Sequence, residues 1–418
     1  MSCSITLREV AEFQKGFAFK SKDYTSDGVR IIKVSNLTDD SVDISQCVCV
    51  ENDIADKYKD KYNLKTNDIV ITTVGSWPTN PASVVGKVIR IPKYANNTLL
   101  NQNAVRLRSN SLINQDYMYY LLKDKSFKEY IVGTAQGSAN QASITQEDIK
   151  NFEFILPSLE EQEKIANILS SLDNKIELNN DMNKTLEEMA QSIFKRWFVD
   201  FEFPNDNGQP YKHSSGEMVE SELGMIPKGW EVKELGEVIN INPRESLKKG
   251  EEKIYVEMAN LPLNYARITN YIEKPFSGGT KFRNGDTLLA RITPCLENGK
   301  TAIVDFLKDG ELAFGSTEYI VMRPKVLNMY YIYCLARNEE FRNYAIKNMN
   351  GSSGRQRVDA NTIKEYIVTC PDKETLKLYN KICLSIFNQM RKNDEESLIL
   401  NNIRDTLLPR LMNGDIKL

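Results

Sequence analysis

Few side chains in this 418-residue sequence are of the types that carry out catalysis. It has one histidine, His213, and seven cysteines that stand apart from one another without a C-x-x-C pair. A Ser-His-Asp hydrolase or a zinc site needs imidazole or thiolate groups in close combination. We therefore exclude both, expect His213 to be an exposed linker residue, and interpret the cysteines as reduced packing residues.

Phosphate- and metal-binding motifs are also missing from the sequence. It contains no G-x-x-x-x-G-K-[ST] loop. The segment PDKETLK, from Pro371 to Lys377, is superficially like a nuclease metal motif, but its next acidic residue follows the aspartate too closely. We interpret Asp372 as the N-cap of a helix, in the position that Ser158 has earlier in the chain.

The composition is that of a soluble globular protein, with 41% hydrophobic and 27% charged residues. No apolar run reaches the roughly 18 residues that span a bilayer, and the start MSCSITLREVAEF lacks a basic stretch followed by an apolar one. We expect a cytoplasmic protein without a membrane partner. The net charge of -3 still allows DNA binding, because that needs only one basic strip.

The sequence contains two copies of one unit. FKEYIVGTAQGSANQASITQEDIKNFEFILP, which starts at Phe127, aligns without a gap on FRNYAIKNMNGSSGRQRVDANTIKEYIVTCP, which starts at Phe341. Earlier segments match only in pieces whose shift drifts, such as VSNLT with MANLP and NDIVITTV with GDTLLARI. This pattern is typical of a common scaffold that carries divergent loops.

Each copy divides into a mixed domain and a long helix. Short apolar strands such as DIVITTV and a helix around DYMYYLLKDKSFKEYIV predict an α+β domain. We expect such domains over residues 1–156 and 230–371, and long helices over 157–200 and 372–418. A segment rich in Pro, Gly, Asn and Ser over 201–229 is expected to be the linker.

The first long helix has a marked start and a regular apolar seam. Ser158, followed three residues later by Glu161, forms a capping box. Apolar or small residues then recur at alternating steps of four and three, and the seam is interrupted by polar residues in both copies: Asn179 and Asn183, then Asn393 and Ser397. Polar seam residues cost stability but fix register and partner.

We expect the two helices to form an antiparallel coiled coil about a pseudo-twofold axis. Asn179 then faces Ser397, and Asn183 faces Asn393. A helix of roughly 33 residues is about 50 Å long, too long to cover one small domain, and this length equals roughly 15 base pairs of duplex. The alternative is that each helix packs only on its own α+β domain.

Three further motifs occur in a fixed order: the opening FQKGFAFKSKDYTSDGVRIIKVSNL, the strand NDIVIT or GDTLLA, and the loop GSANQ or GSSGRQ. Taken in order and found twice, these motifs make the sequence similar to the specificity subunits of type I restriction-modification systems. The resemblance covers essentially the whole chain. The helix start LPSLEEQEKIANIL resembles the family's PPLxEQxxIaxxL. The second copy departs from this pattern: CPDKETLKLYNKICL lacks the Glu-Gln pair, and Pro409 should kink or end the last helical turn.

The resemblance implies two target-recognition domains, each of which reads one half of an interrupted sequence in double-stranded DNA. It also implies that the helices set the gap and dock two methyltransferase subunits, with restriction and translocase subunits joining the complex. S-adenosylmethionine, Mg and ATP are then expected on those partners, and no cofactor or catalysis on this chain. In agreement, INPRE and TNPAS both break the N-P-P-[FY] motif of adenine methyltransferases.

Candidate DNA contacts are side chains that bind base edges or phosphates and lie on expected loops. In the first copy they are Lys20, Lys22, Tyr24, Lys57, Lys59, Lys61, Ser76, Asn80, Gln136, Ser138, Asn140 and Gln141. In the second copy they are Arg291, Thr293, Ser352, Arg355, Gln356 and Arg357.

Plainer interpretations stay open for some of these residues. The lysines of KYKDKY also fit a solvated face, and Trp77 fits a core position. Arg355 and Arg357 lie on a Gly-Ser loop with no expected acidic neighbour, which favours DNA contact. For the whole chain, the alternative is a duplicated protein-interaction scaffold on a coiled-coil rod, which divergent loops also suit.

Overall fold

A computed structural model of the chain describes residues 4–38, 41–77, 85–138, 141–352 and 354–418. It divides into two compact units. Unit 1 comprises Met1–Ile176 and Ile399–Leu418, and unit 2 comprises Glu177–Leu398. Each unit therefore contains one α+β domain together with a part of each long helix.

Unit 1 consists of short strands and helices that precede a long helix, of which residues 159–176 belong to this unit. The strands are β1 (Ser4–Thr6), β2 (Ala11–Lys15), β3 (Val29–Ile32), β4 (Val48–Val50), β5 (Asn63–Leu64), β6 (Ile69–Thr72), β7 (Val74–Gly75), β8 (Val88–Arg90), β9 (Thr98–Leu100), β10 (Ala104–Ser109), β11 (Gln136–Ser138), β12 (Gln141–Ser143) and β13 (Glu153–Ile155). The helices are α1 (Leu7–Val10), α2 (Asn52–Tyr62), α3 (Gln115–Lys123), α4 (Lys125–Thr134), α5 (Gln146–Lys150) and the long α6 (Leu159–Phe194).

Unit 2 begins with a short hairpin and then repeats much of this order. Its strands are β14 (Met218–Ser221), β15 (Gly224–Pro227), β16 (Glu231–Glu234), β17 (Ile239–Ile241), β18 (Glu252–Val256), β19 (Ile272–Pro275), β20 (Thr280–Phe282), β21 (Thr287–Ala290), β22 (Thr301–Ile303), β23 (Ala313–Gly315), β24 (Tyr319–Pro324) and β25 (Ile367–Cys370). Its helices are α7 (Leu235–Val238), α8 (Met329–Arg337), α9 (Glu339–Lys347), α10 (Ala360–Lys364) and the long α11 (Lys373–Met412), of which residues 399–412 belong to unit 1.

The two units have the same sheet topology. Unit 1 has sheets in the order β2-β10-β6-β8 and β4-β3-β9-β5, and unit 2 repeats them as β17-β24-β21-β22 and β19-β18-β23-β20. The parallel strand pair also recurs: β3 pairs with β9 in unit 1, and β18 pairs with β23 in unit 2. The predicted fold class of two similar α+β domains is thus confirmed.

The repeated NDIVIT and GDTLLA motif begins with a turn that most residues do not tolerate. Asn67 and Gly285 have positive φ angles of 69° and 88°. Asparagine and glycine adopt this left-handed conformation with the least strain. The turn then delivers the next residue, Asp68 or Asp286, to the start of a buried strand, where both aspartates are buried.

Each of these aspartates binds an arginine from the neighbouring strand through two hydrogen bonds. Arg108 donates to Asp68 from Nε at 2.6 Å and from Nη2 at 2.8 Å. Arg323 donates to Asp286 from the same two atoms, also at 2.6 and 2.8 Å. Bidentate pairs of this kind are strong because both bonds are charge-assisted. The motif therefore has a structural function in both units.

Both long helices begin with a side-chain cap. The Oγ of Ser158 accepts a hydrogen bond from the N–H of Glu161 at 3.2 Å. The carboxylate of Asp372 accepts one from the N–H of Thr375 at 2.9 Å. Asp372 thus caps a helix, as interpreted from its position in the repeat.

Pro409 does not end the second helix, which continues to Met412. Of the two expected effects, a kink or an end of the last helical turn, the end is not observed. So close to the C-terminus, proline removes only one backbone hydrogen bond. The buried side chain of Leu411 packs in the core of unit 1 and holds the following turn.

The glutamine of the first helix start, Gln162, is fully buried and holds the helix to the loop before α3. Its Oε1 accepts from the N–H of Asn114 at 2.8 Å. Its Nε2 donates to the carbonyls of Pro157 at 3.0 Å and Leu112 at 3.3 Å. The glutamine of the Glu-Gln motif therefore has a structural function, because its side-chain amide is the hydrogen-bond partner of three backbone groups.

We expect Gln162→Leu to lower the free energy of unfolding by about 2–3 kcal/mol, because three partly buried backbone groups lose their partner. Urea denaturation followed by circular dichroism measures this change. Glu163→Gln, at the neighbouring exposed position, is the matched control and should change stability by less than about 0.5 kcal/mol. Equal midpoints for the two variants would contradict the prediction.

The expected linker is partly built into unit 2. Residues Met218–Ser221 and Gly224–Pro227 form a hairpin within it. Phe203 is buried, with its ring stacked on Trp230 at 4.9 Å and on Tyr211 at 4.6 Å between centroids. His213 is exposed, as expected, and its Nδ1 hydrogen-bonds to Glu202. Aromatic residues in the polar segment explain why it packs.

The described ranges contain no helix long and apolar enough to cross a membrane. Nor do they contain a group of three or more His, Cys, Asp or Glu side chains arranged to hold a metal ion. Six of the cysteines are free thiols, and Cys3 lies outside the described residues.

Candidate nucleic-acid interface

In unit 1, two predicted loops that are far apart in sequence form one small sheet. The segment after β6 contributes β7, which pairs with β12, and β12 pairs with β11. The Nε1 of Trp77 donates to the carbonyl of Ser138 at 2.7 Å. The carbonyl of Ser76 accepts from the N–H of Val85 at 3.1 Å. The GSW and QGS segments are thereby brought together on one surface.

The hairpin β11–β12 presents its polar side chains to solvent. Gln136, Ser138 and Gln141 are all exposed. Gly137 has φ of 153°, and a Cβ at this position would lie 2.0 Å from the carbonyl oxygen of Gln141, so only glycine fits. The predicted contacts Asn80 and Asn140 lie outside the described residues.

Unit 2 joins the equivalent segments through the same backbone register. Ile292 pairs with Arg357, as Val74 pairs with Ser143 in unit 1. The N–H of Thr293 donates to the carbonyl of Gln356 at 3.0 Å. Four predicted contacts, Arg291, Thr293, Gln356 and Arg357, therefore lie side by side, while Ser352 and Arg355 are exposed on the adjoining Gly-Ser loop.

Arg357 has an acidic neighbour, contrary to expectation. Glu318 accepts from the Nε of Arg357 at 2.9 Å and from its Nη2 at 2.7 Å, and from the Nε of Arg291 at 3.2 Å. The Arg357 hydrogen bonds lower the pKa of Glu318, and the same pairing raises that of Arg357. The prediction failed because Glu318 belongs to a strand connection distant in sequence from the loop. In the described residues, no ion pair involves Arg355.

A third segment, the turn before β10 or β24, completes the surface in each unit. The N–H of Thr73 donates to the carbonyl of Asn103 at 2.8 Å, and that of Arg291 to the carbonyl of Glu318 at 3.0 Å. Glu318 thus occupies the position in unit 2 that Asn103 occupies in unit 1. Sequence reasoning missed both residues because their short turns differ in sequence. The sequence feature that could have identified both residues is their position immediately before a buried strand.

The lysines of KYKDKY lie on α2, so the prediction that they lie on a loop is wrong. All three are exposed. At about 100° per residue, Lys57 and Lys61 share one flank of the helix and Lys59 lies on the other. The Nζ of Lys59 is 3.9 Å from Asp56. Tyr58 and Tyr62 of the same helix pack against Phe17.

The KSKDY segment forms one wall of an open cavity of about 320 Å³. Lys20 and Lys22 are exposed. The hydroxyl of Tyr24 donates to the carbonyl of Phe19 at 3.2 Å. The lining of the cavity comprises Ser21, Tyr24, Lys33, Val34, Ser35, Asn101, Gln102 and Asn103. It therefore links KSKDY to the turn that contains Asn103.

The four polar seam residues contact one another within unit 2. The Nδ2 of Asn179 donates to the Oγ of Ser397 at 3.2 Å and to the carbonyl of Asn393 at 3.3 Å. The Nδ2 of Asn393 donates to the Oδ1 of Asn183 at 2.8 Å. All four side chains are buried. Asn179 meets Ser397 and Asn183 meets Asn393, which is the antiparallel order that the hypothesis requires.

A buried polar network extends from this seam into the domain of unit 2. The Nδ2 of Asn183 donates to Asp394 at 2.9 Å, and the hydroxyl of Tyr265 donates to the same carboxylate at 2.8 Å. Arg267 pairs with Asp394 and, at 2.7 Å, with Asp305. Burial raises the pKa of the Asp394 carboxyl, although Arg267 opposes this shift. No local sequence pattern indicates this network, because its members are far apart in the chain.

Comparison with protein families identifies a close match over most of the chain. The model of the type I restriction modification DNA specificity domain matches residues 4–188 and again 227–403. The two matched ranges coincide with the two copies of the internal repeat.

Individual relatives match over much of their length. The type I restriction enzyme MjaIX specificity subunit of Methanocaldococcus jannaschii is 29% identical over 72% of this chain and 69% of the relative. The HindI specificity subunit of Haemophilus influenzae is 23% identical over 79% and 84%. The crystal structure of a type I restriction-modification S subunit from M. genitalium aligns with a TM-score of 0.55 and 17% identity, over 99% of this chain and 96% of that one. That structure supports the fold.

Proposed function

Because this chain belongs to the type I restriction modification DNA specificity family, we propose that it selects the DNA sequence on which a modification and restriction complex acts. The observation that carries the proposal is the surface found in both units. Three chain segments meet there in the same backbone register, yet carry different side chains. A fixed frame with variable polar side chains suits two readers of different base sequences.

We propose further that the target is bipartite, with one half-site for each unit. The duplicated architecture supports this, since each unit has its own set of exposed Arg, Lys, Asn and Gln side chains. In this proposal the paired helices set the number of unread base pairs between the half-sites. The polar seam residues fix the register of the helices and so the gap.

The chemical steps are assigned in this proposal to partner subunits. Two methyltransferase subunits dock on the helices, and restriction and translocase subunits join them. S-adenosylmethionine, Mg and ATP are bound by those partners. This chain contributes recognition and assembly.

The test is to map methylated adenines in the genome of the host, with and without the gene for this chain. The expected result is an interrupted motif whose methylation disappears on deletion. A purified complex of the chain with its methyltransferase subunit should also bind duplex DNA with a strong dependence on salt. An unchanged methylation map, together with no binding of DNA by the complex, would favour a protein-interaction scaffold instead.

Arg355→Ala should weaken DNA binding by the complex about fivefold at 0.15 M salt and reduce the salt slope by about one, as expected for one lost phosphate contact. Fluorescence anisotropy at several salt concentrations measures both quantities. Lys228→Ala is the control, because Lys228 is exposed in unit 2 but pairs with Glu217 at 2.9 Å. If the slope is the same for both variants and the wild type, Arg355 does not contact DNA.

A further inference from the structure

Three equivalent positions define a small cluster at the centre of the surface in each unit. In unit 1 they are Thr73, Asn103 and Ser143, and in unit 2 they are Arg291, Glu318 and Arg357. The first two positions are joined by the N–H to carbonyl bonds already described, 2.8 Å in unit 1 and 3.0 Å in unit 2. The third is held by the β-pairing of its residue with Val74 or Ile292. The two units thus have the same backbone arrangement at these three positions but different side chains.

The cluster of unit 1 is uncharged, whereas that of unit 2 contains two guanidinium groups and one carboxylate. The unit 2 side chains are partly exposed: 30% for Arg291, 22% for Glu318 and 39% for Arg357. Water screens ion pairs at this exposure, so this bidentate pair contributes less to stability than the buried Asp286–Arg323 pair of the same geometry. Its partial exposure also leaves the two guanidinium groups accessible to a ligand.

The hydrogen bonds of Arg357 leave one edge of its guanidinium available. A guanidinium has five N–H donors. Glu318 accepts from the Nε and from one Nη2 hydrogen, and the carbonyl of Arg355 accepts from Nη1 at 3.2 Å. Two N–H groups, one on Nη1 and one on Nη2, remain. A fork of two donors is the group that binds O6 and N7 of guanine in the major groove.

A carboxylate that holds one edge of a guanidinium fixes the direction of the other edge. An unrestrained arginine must lose side-chain entropy when it docks on a base, and it also pairs with any phosphate in reach. The Glu318 carboxylate removes much of this freedom and offsets one positive charge. Orientation toward a base edge is favoured over non-specific attraction to the backbone of DNA.

We propose that Glu318 is a positioning residue that presents Arg357 to a guanine in the half-site read by unit 2. This inference rests on the proposed function. The neutral residues at the equivalent positions of unit 1 make no such contact, so the two half-sites differ in this requirement. Glu318 itself touches no base.

The test uses the full chain in complex with its methyltransferase subunits and a pool of duplexes with a randomised central segment. Bound duplexes are selected and sequenced for the wild type, Glu318→Gln and Arg357→Lys. We expect a guanine at one position of one half-site in the wild type. Both variants should lower the preference for it by roughly 5- to 150-fold, the discrimination that one bidentate pair provides. The other half-site should remain unchanged.

The preference at one position separates this function from a structural one. Glu318→Gln makes the surface more positive, so its affinity for DNA without a target should stay equal or rise. A structural defect would instead weaken binding to every duplex alike, and that outcome would overturn the proposal. The proposal would also be overturned if the wild-type complex selects a motif and both variants select that motif with the same preference. If the wild-type complex enriches no motif, the proposed function fails and this inference fails with it. A thermal melt of each variant identifies unfolding.

Discussion

Replacing Asp286 with asparagine lowers the free energy of unfolding of unit 2 by about 3–5 kcal/mol, the cost of breaking a buried ion pair from one side. Asp286 is fully buried, and the side chain of its partner Arg323 is only 10% exposed. Asparagine keeps the size of the side chain but leaves the guanidinium with Glu245 alone, 2.5 Å from its Nη1. Urea denaturation measures the loss through the fluorescence of Trp197 and Trp230, which both belong to unit 2.

Unit 1 provides a matched variant for this prediction. Asp68→Asn breaks a pair of the same geometry, but the side chain of Arg108 is 28% exposed and water reaches it. The expected loss is therefore smaller, about 1.5–3 kcal/mol. A loss of under 1 kcal/mol for Asp286→Asn, or a larger loss for Asp68→Asn, contradicts the burial argument.

Arg267→Met is expected to destabilise unit 2 by about 3–5 kcal/mol at pH 8, because it removes the shared cation of Asp305 and Asp394, whose side chains are only 5% and 17% exposed. The side chain of Arg267 is 6% exposed. Arg391→Met is the control. Its Nη2 lies 3.5 Å from the same Asp305, but its side chain is 42% exposed, so the expected loss is below about 1 kcal/mol.

The destabilisation by Arg267→Met should depend on pH in a defined direction. The pKa of Asp394 is already raised by burial in the wild type, and it rises further when Arg267 is removed. A raised carboxyl pKa means that the folded state binds more protons than the unfolded state. The Arg267→Met variant therefore regains stability as pH falls through the folded-state pKa of Asp394, and it loses this stability again as pH rises through the same pKa. Urea midpoints at pH 8 and pH 5 test this: a loss that is equal at both values would contradict it.

The sequence was sufficient to predict the features that depend on local chemistry and on the repeat. The caps at Ser158 and Asp372, the long helices and the two α+β domains follow from patterns within a few turns or strands. The contacts of Asn179 with Ser397 follow from the seam together with the repeat, since the second copy supplies the partner.

Other features depend on long-range contacts that no local pattern contains. Glu318 meets Arg357 because a strand connection and a Gly-Ser loop converge in the fold. The sequence analysis predicts a loop at Lys59, whereas Tyr58 and Tyr62 pack against Phe17 from a helix there. Side-chain partners from distant strands are therefore the part of the site that sequence reasoning could not supply.

The packing of Phe203 between Tyr211 and Trp230 changes how the segment between the two repeats is to be regarded. A flexible tether exposes its backbone to proteases and tolerates inserted residues. Here the aromatic stack and the hairpin fix both ends of the segment on the core of unit 2. Only the exposed stretch around His213 keeps the properties of a tether, so a cleavage site or a tag belongs there. A fragment that begins at Trp230 would lose three aromatic side chains that pack on its indole ring, those of Phe198, Phe201 and Phe203.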